Sequence, residues 1–472
     1  MSCLATYQRR RPEHLVLYSC VDEHLPGFLA RCEDLDKYVP GFVQREFEAF
    51  LHCGILDYGF ARVHCQACSF DRLVAFSCKG RAFCPSCGAR RMEDGAAHLC
   101  NEVLPPLIPY RQWVLSFPKP LRYLMAYNAA ICRDITRVLS RVVLRYLKWL
   151  AKKFLKLKSV QFANPGALVV IQRFGSGLNL NVHLHALMTD GVYVLDDQGR
   201  PIFWVLPEPS REDLDHLAAQ LCDEVMELLR RRGFWSDSDD GNDGHDNEDP
   251  VDPLMGQLAR ASMTGTLAFG PAGARVVTLG NPQDARPSKG RAGHASGFNL
   301  DAAVRVAADD RLHRERLCRY LLRPPLAQGR LTERPDGRYA FQMKHPWPDG
   351  TSVLIFSGVE LIGRLAALVP PPRQHAVRYF GIFAPNAKLR PLVVPKPLKP
   401  KPSPACCILS DDTEKSRYSR RTPWAQLLQM VFGIDVLECP KCSCRMQRIA
   451  FLTQPRVIRR FLDSIAKRDE PP

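Results

Sequence analysis

The stretch Leu178-Asn-Leu-Asn-Val-His-Leu-His-Ala-Leu-Met188 alternates almost without a break. On a β-strand, Leu178, Leu180, Val182, Leu184, Ala186 and Met188 share one face, and Asn179, Asn181, His183 and His185 the other. Two imidazoles two residues apart then project side by side. They can hold one divalent ion and leave positions open for substrate oxygens. The bland alternative is a solvated pair of histidines. The unbroken apolar backing argues against it, because it makes the strand structural. Gln172 on the preceding apolar run is the candidate third ligand. Its face depends on whether the intervening loop has an odd or even count, since a one-residue slip reverses every side chain.

A second piece is Arg311-Leu-His-Arg-Glu-Arg-Leu-Cys-Arg-Tyr-Leu-Leu-Arg-Pro-Pro325. At about 100° per residue, His313, Arg316, Tyr320 and Arg323 fall within an arc of roughly 80° on a helix. Leu317, Cys318, Leu321 and Leu322 take the adjoining side. Tyr320 therefore sits on the basic face, where Arg316 and Arg323 can hold a phosphate against the phenol. Arg316, Arg319 and Arg323 are the residues expected to meet nucleic acid. The plainer reading is an amphipathic surface helix with a tyrosine at its boundary.

Cysteines form the third signal. Cys65-Gln-Ala-Cys68 and Cys84-Pro-Ser-Cys87 are two CxxC knuckles at a separation that suits tetrahedral thiolate binding of Zn²⁺. Basic and aromatic residues surround them, as in a DNA-contacting ribbon; zinc as a folding staple alone is the other possibility. Cys78 reads as a bystander. Cys439-Pro-Lys-Cys442-Ser-Cys444 offers only three close sulfurs for a second zinc, so Cys406 or Cys407 would have to supply the fourth. The chain has eighteen cysteines and no apolar export segment in its opening residues. Metal binding in a reducing, cytoplasmic setting is therefore expected over a disulfide framework.

The elements that must position these groups follow from periodicity. Residues 1 to about 60 read as helical, with Val43, Phe47, Phe50 and Leu51 on one face. A long helix is expected over Leu121–Leu157. A hairpin of Ala167–Phe174, a Gly175-Ser-Gly177 turn and Leu178–Met188 follows, then an amphipathic helix over Arg211–Arg231. Residues 300 to 323 read as helix, stopped by Pro324-Pro325. Residues 395 to 404, Pro-rich and Lys-rich, form a stiff linker. The 472 residues thus divide into 1–100, helical with a ribbon at 64–91; 101–394, with an acidic insertion at 233–253; the linker 395–423; and a small cysteine module at 424–472.

Composition sets the class. Hydrophobic residues make up 46% and charged residues 24%, which excludes wholesale disorder. No run of apolar residues is long enough for a membrane span. The net charge is +16, although eight acids and no Lys or Arg lie between Asp237 and Asp252, so the remainder is more basic still. Such a surplus on a folded body is the footprint of a polyanion, most often nucleic acid.

Taken in order, these pieces resemble the HUH-type rolling-circle transposases of bacterial insertion sequences, the two-tyrosine family and its single-tyrosine ISCR relatives. The likeness rests on Phe76-Ser-Cys-Lys79 with Cys84-Pro-Ser-Cys87, on Gln172-Arg-Phe-Gly-Ser-Gly-Leu-Asn-Leu-Asn-Val-His-Leu-His185, on Cys318-Arg-Tyr-Leu-Leu-Arg-Pro-Pro-Leu-Ala327, and on Val377–Arg390. It implies an α+β fold with a ferredoxin/RRM-like catalytic domain, helical flanks, an N-terminal zinc ribbon and a small C-terminal cysteine module. It also implies Mg²⁺ or Mn²⁺ at His183 and His185, Tyr320 as nucleophile, and single-stranded transposon ends as partner. Two-tyrosine members carry a second tyrosine one turn later, where this chain has Arg323-Pro-Pro325, so the single-tyrosine relatives are the better guide. The competing classes are a non-catalytic zinc-containing DNA-binding protein and a metal-dependent hydrolase built on His183 and His185. Tyr379 is the rival nucleophile. The sequence does not give the oligomeric state.

Overall fold

The computed structural model describes residues 11–234, 252–281, 283, 292–395, 428 and 435–469. Most of the expected acidic insertion 233–253 and of the linker 395–423, with Cys406 and Cys407, lies outside the described residues.

Two helices come first, α1 (Val16–Glu33) and α2 (Gly41–Leu51), and α2 buries the expected apolar face through Val43, Phe47 and Phe50. A hairpin of β1 (Phe60–His64) and β2 (Asp71–Ala75) leads to α3 (Pro85–His98). Pro85 opens α3, where its missing N–H costs nothing. After β3 (Tyr110–Ser116), the helix expected over Leu121–Leu157 is two helices, α4 (Lys119–Tyr127) and α5 (Ala129–Phe154). Asn128 breaks them apart: its side chain accepts from the N–H groups of Ala130 and Ile131 and so caps α5.

The expected hairpin is β4 (Gly166–Phe174) with β5 (Leu180–Thr189), followed by a smaller one of β6 (Gly191–Leu195) and β7 (Pro201–Val205). Next, α6 (Arg211–Arg231) has the bounds its periodicity gives and starts in a Ser210/Asp213 capping box. Then come α7 (Pro253–Thr264), β8 (Val277–Gly280), β9 (Gly293–Ala295), β10 (Phe298–Asp301), β11 (Arg305–Val306) and α8 (Arg311–Leu322). The helix expected from residue 300 therefore begins only at Arg311. Phe298–Asp301 alternates in burial and pairs with β3, so sheet pairing overrides local helical preference there. The described chain continues through β12 (Leu331–Glu333), β13 (Tyr339–Gln342), β14 (Thr351–Phe356), α9 (Gly358–Leu368), β15 (Val377–Gly381) and β16 (Gln447–Leu452), and a last helix covers Pro455–Asp469.

The result is a mixture of helices and antiparallel sheets. The central sheet runs β15-β4-β5-β3-β10-β9, with β11 also on β3. One face of β5 (Leu180, Val182, Leu184, Ala186, Met188) is buried in the main core with Ile135, Leu139 and Val142 of α5. The opposite face buries Leu168, Val170 and Leu187 against Leu317, Cys318 and Leu321 of α8. Each fully buried leucine contributes about 1.5–3 kcal/mol. The sheet is therefore fixed between α5 and α8, and α8 covers the histidine face. No helix among the described residues is long and apolar enough to cross a membrane.

At the far end of β3, Arg111 is buried and its Nε donates to Asp190 at 2.8 Å; Arg305 donates to the same carboxylate at 2.6 Å. Asp190→Ala would leave the Arg111 charge buried with only the exposed Glu208 beside it. Urea unfolding of that variant is expected to show a loss of about 3–5 kcal/mol.

Candidate active site

β5 presents both histidines to α8. Their ring centroids are 4.7 Å apart, and the His185 ring stands edge-on to the Tyr320 ring with centroids at 5.6 Å. Both imidazoles are buried, whereas Tyr320 is 40% exposed and so open to a substrate. Burial pushes His183 down to about 4, partly opposed by its bond to the Asn181 carbonyl and helped by Arg323 and Arg122. Burial, then His183 and Arg323, pushes His185 down to about 3. Both rings are thus neutral at pH 7, the state in which imidazole binds a metal.

The partners set the second nitrogen of each ring. His183 Nδ1–H donates to the Asn181 carbonyl at 2.8 Å, which leaves Nε2 with its lone pair. Gln112 Nε2 lies 2.8 Å from His185 Nδ1; a metal at His185 Nε2 requires the amide turned end for end, so that its oxygen accepts from Nδ1–H.

Gln172 faces the same way as the histidines, because it is directly paired with His183 across the β4–β5 ladder. Its Nε2 donates to the carbonyls of Tyr320 at 3.1 Å and Leu321 at 2.9 Å. The side chain therefore caps the last turn of α8 and ties the tyrosine's helix to the histidine strand pair. Its Oε1 is buried without a partner, and so are His185 Nε2 and Asn181 Oδ1. Leaving such atoms unpaired costs about 1–3 kcal/mol each. A donor set of imidazole nitrogen and amide oxygen suits a divalent ion.

The basic residues divide. The Arg323 guanidinium lies over the Tyr320 ring at 4.5 Å. Arg316 is exposed. Arg319 is engaged otherwise than expected: it donates to Glu93 of α3 at 2.8 Å and to Glu315 at 2.7 Å, so it joins α8 to α3. Tyr379, the rival nucleophile, lies on β15 opposite Leu168, and burial raises its phenol further from ionisation.

The cysteines group differently from the sequence expectation. The sulfurs of Cys84 and Cys87 gather with Cys53 and Cys78; those of Cys65 and Cys68 gather with Cys439 and Cys442. The reason is the β1–β2 hairpin. The first knuckle is at its tip and the second beyond its base, and five residues of strand span about 17 Å. Cys78 is therefore a member of a cluster and not a bystander, and Cys444 stays exposed and outside both. Closest sulfur separations of 3.3–3.7 Å in the first cluster and 3.4–3.5 Å in the second approach the ~3.8 Å of a tetrahedron with 2.3 Å bonds. Both sets fit structural zinc. The second joins residues far apart in the chain, with β16 paired to β1 beside it.

The first zinc cluster also bears on the tyrosine. Cys84 and Cys87 begin α3, and α3 packs on α8 so closely that a Cβ on Gly88 would stand 2.5 Å from Pro324, and one on Gly95 2.7 Å from Leu322.

Sequence reasoning missed Cys53, the membership of Cys78, and Gln112. Cys53 has no neighbour at knuckle spacing, and Gln112 belongs to no motif; register alone brings it to His185.

Residues 166–390 match the family model Y2_Tnp, described as "Putative transposase", and residues 20–117 match the model Zn_Tnp_IS91, a transposase zinc-binding domain. The first contains Gln172, His183, His185 and Tyr320; the second contains the six N-terminal cluster cysteines and Gln112. No curated protein and no solved structure matches the chain.

Proposed function

The chain carries the zinc-binding and transposase domains of the IS91-type transposases, and from that premise we propose that it cuts and rejoins single-stranded DNA through a 5′-phosphotyrosine at Tyr320. The observation that carries this reading is the 5.6 Å approach of the Tyr320 ring to His185, held by the Gln172 cap on the end of α8.

In the proposed step the Tyr320 oxygen attacks the scissile phosphorus. The Tyr–O–P bond forms as the P–O3′ bond breaks, and the phenolic proton leaves the tyrosine while the 3′ oxygen departs as a hydroxyl. Phosphodiester is exchanged for phosphodiester, so the reverse reaction on another 3′-OH rejoins strands without an external energy source. His183 and His185, with Gln172 Oε1 as third donor, would hold Mg²⁺ or Mn²⁺, which supplies charge stabilisation to the transferring phosphoryl group. Arg323, beside the phenol ring, is placed to meet the same phosphate.

The antiparallel sheet covered by helices supports the ferredoxin/RRM-like reading of residues 101–394, with the N-terminal 100 residues as a zinc-bearing brace. Pro324 and Pro325 stand one turn after Tyr320, so a single-tyrosine cycle of the rolling-circle type is the form that suits this chain.

Protein incubated with 5′- and 3′-labelled single-stranded oligonucleotides and Mn²⁺ is run on a denaturing gel. A covalent band carrying the 3′ portion of the strand is expected; binding with no linked species under any divalent metal leaves only a zinc-containing DNA-binding protein. Gln112→Leu removes the partner that orients His185. It is expected to weaken Mn²⁺ binding about 10–100-fold, measured by titration calorimetry, with zinc content unchanged.

A further inference from the structure

The helix α5 carries seven cations and one acid, Asp134. At about 100° per residue, Arg133, Arg137, Arg141, Arg145, Lys148 and Lys152 fall within an arc of roughly 120°. Ile135, Leu139 and Val142 take the buried side. From Arg133 to Lys152 this basic stripe runs about 29 Å. A merely solvated face mixes both signs, because like charges in a row repel. Here Arg133, Arg137 and Arg232 share Asp134, and Arg141 and Arg145 share Glu224. Two carboxylates thus answer five guanidinium groups. On β15, Arg378 adds to the crowd: burial lowers its guanidinium, and the charges of Arg133 and Arg137 lower it further.

Along the C-terminal half of the stripe a cavity of about 790 Å³ opens between α5 and the turn that follows β15. Arg141, Arg145, Lys148 and Trp149 form one wall, and Lys388 stands on the other. No carboxylate lines it among the described residues. Trp149 is 49% exposed, and Lys153 Nζ lies over its ring at 5.3 Å. An indole left in water forgoes the burial that large aromatic side chains otherwise gain.

A basic groove beside an exposed aromatic ring suits an unpaired nucleic-acid strand, since the charges follow the phosphates and the ring stacks a base. A duplex keeps its bases stacked inside and would leave the ring unused. A lipid surface needs an apolar helix face turned outward, whereas that face of α5 is in the core. The groove is also remote from the nucleophile. Gly381, on its wall, is paired with Gly166 at one end of β4, and Gln172 is about 20 Å further along that strand. The stripe lies on the α5 side of the sheet and Tyr320 on the α8 side.

We propose that this groove holds a second stretch of single-stranded DNA, apart from the stretch at Tyr320, with phosphates along Arg145, Lys148 and Lys388 and a base on Trp149. The inference goes beyond strand cutting and does not require it.

The test uses the full chain in a Tyr320→Phe background, so that binding is read without cutting. Anisotropy of a fluorescein-labelled 40-nucleotide single strand, long enough to reach both sides of the sheet, is followed across a salt series. Lys148→Gln combined with Lys388→Gln is expected to reduce the salt slope by about 1.4, two phosphate contacts fewer. Trp149→Leu is expected to weaken binding about tenfold and leave the slope unchanged, since it removes a stacking ring and no charge. Its affinity for a duplex of the same length should not change. An unchanged slope in the lysine pair, or unchanged single-strand affinity in Trp149→Leu, overturns the proposal, and so does an equal loss on the duplex. An unchanged slope with a lower melting midpoint would assign the cations to the chain's own acids between Asp237 and Asp252 instead. Poly-glutamate of matched charge should displace the strand only weakly; displacement as strong as by unlabelled DNA makes the groove a seat for acidic peptide and overturns the proposal too. Should Trp149→Leu fail to fold, the slope of the lysine pair decides. These shifts, with no covalent band from the wild type, would defeat the cutting reading and leave this one standing.

Discussion

Tyr320→Phe is expected to remove the covalent protein–DNA band and to lower strand cutting at least about 10³-fold, with single-strand binding unchanged. The substitution deletes one oxygen. The ring keeps its edge against His185 and its place under Arg323, and the Gln172 bonds run to backbone carbonyls that the change does not touch. A folding defect therefore does not confound the result, and unchanged melting and zinc content check this. A surviving adduct would assign the nucleophile elsewhere. Tyr379→Phe is the paired control and is expected to cut normally, because its phenol is half-buried on an antiparallel strand and raised by that burial.

The two cysteine clusters should separate in experiment. Cys84→Ser breaks the site that starts α3, and α3 is the surface on which α8 rests through Gly88, Gly95 and the Glu93–Arg319 pair. Structural zinc is worth about 10–16 kcal/mol in small domains. Even a fraction of that should lower the melting midpoint by about 10 °C or more and take the covalent band with it, although residue 84 touches no DNA in the proposed mechanism. Cys439→Ser breaks the other site, which holds β16 and the last helix to the N-terminal hairpin. Elemental analysis is expected to show the loss of one zinc per chain in each variant. Limited proteolysis should release the C-terminal segment only in Cys439→Ser, with the band retained. Loss of both ions from a single substitution would mean that the sites are not independent.

The parts of this fold legible in the sequence are those fixed by local periodicity. The alternation of Leu178–Met188 gave both faces of β5, and the helix Arg211–Arg231 has the bounds its pattern predicts. The helix carrying Tyr320 was visible too, though its start was set too early. Phe298–Asp301 alternates over only four residues, too few to outweigh the helical count until β3 pairs with it. Gln172 shows the limit most clearly. Its residue type suggested a ligand, but its face depended on the loop and on the ladder irregularity between Gln172 and Phe174. That its amide caps α8 could not be read from strand spacing, since the helix lies about 150 residues further on.

By itself the sequence determined which face of its own element His183, His185 and Tyr320 each take, because strand and helix geometry repeat over two to four residues. Only the tertiary structure decided partners. It assigned Cys65 and Cys68 to Cys439 and Cys442, put Cys53 with Cys84, set Gln112 behind His185, and brought Lys388 to the same cavity as Lys148. Such pairings join points tens to hundreds of residues apart and are fixed by how whole elements pack, a constraint that leaves no periodic trace in the neighbouring residues.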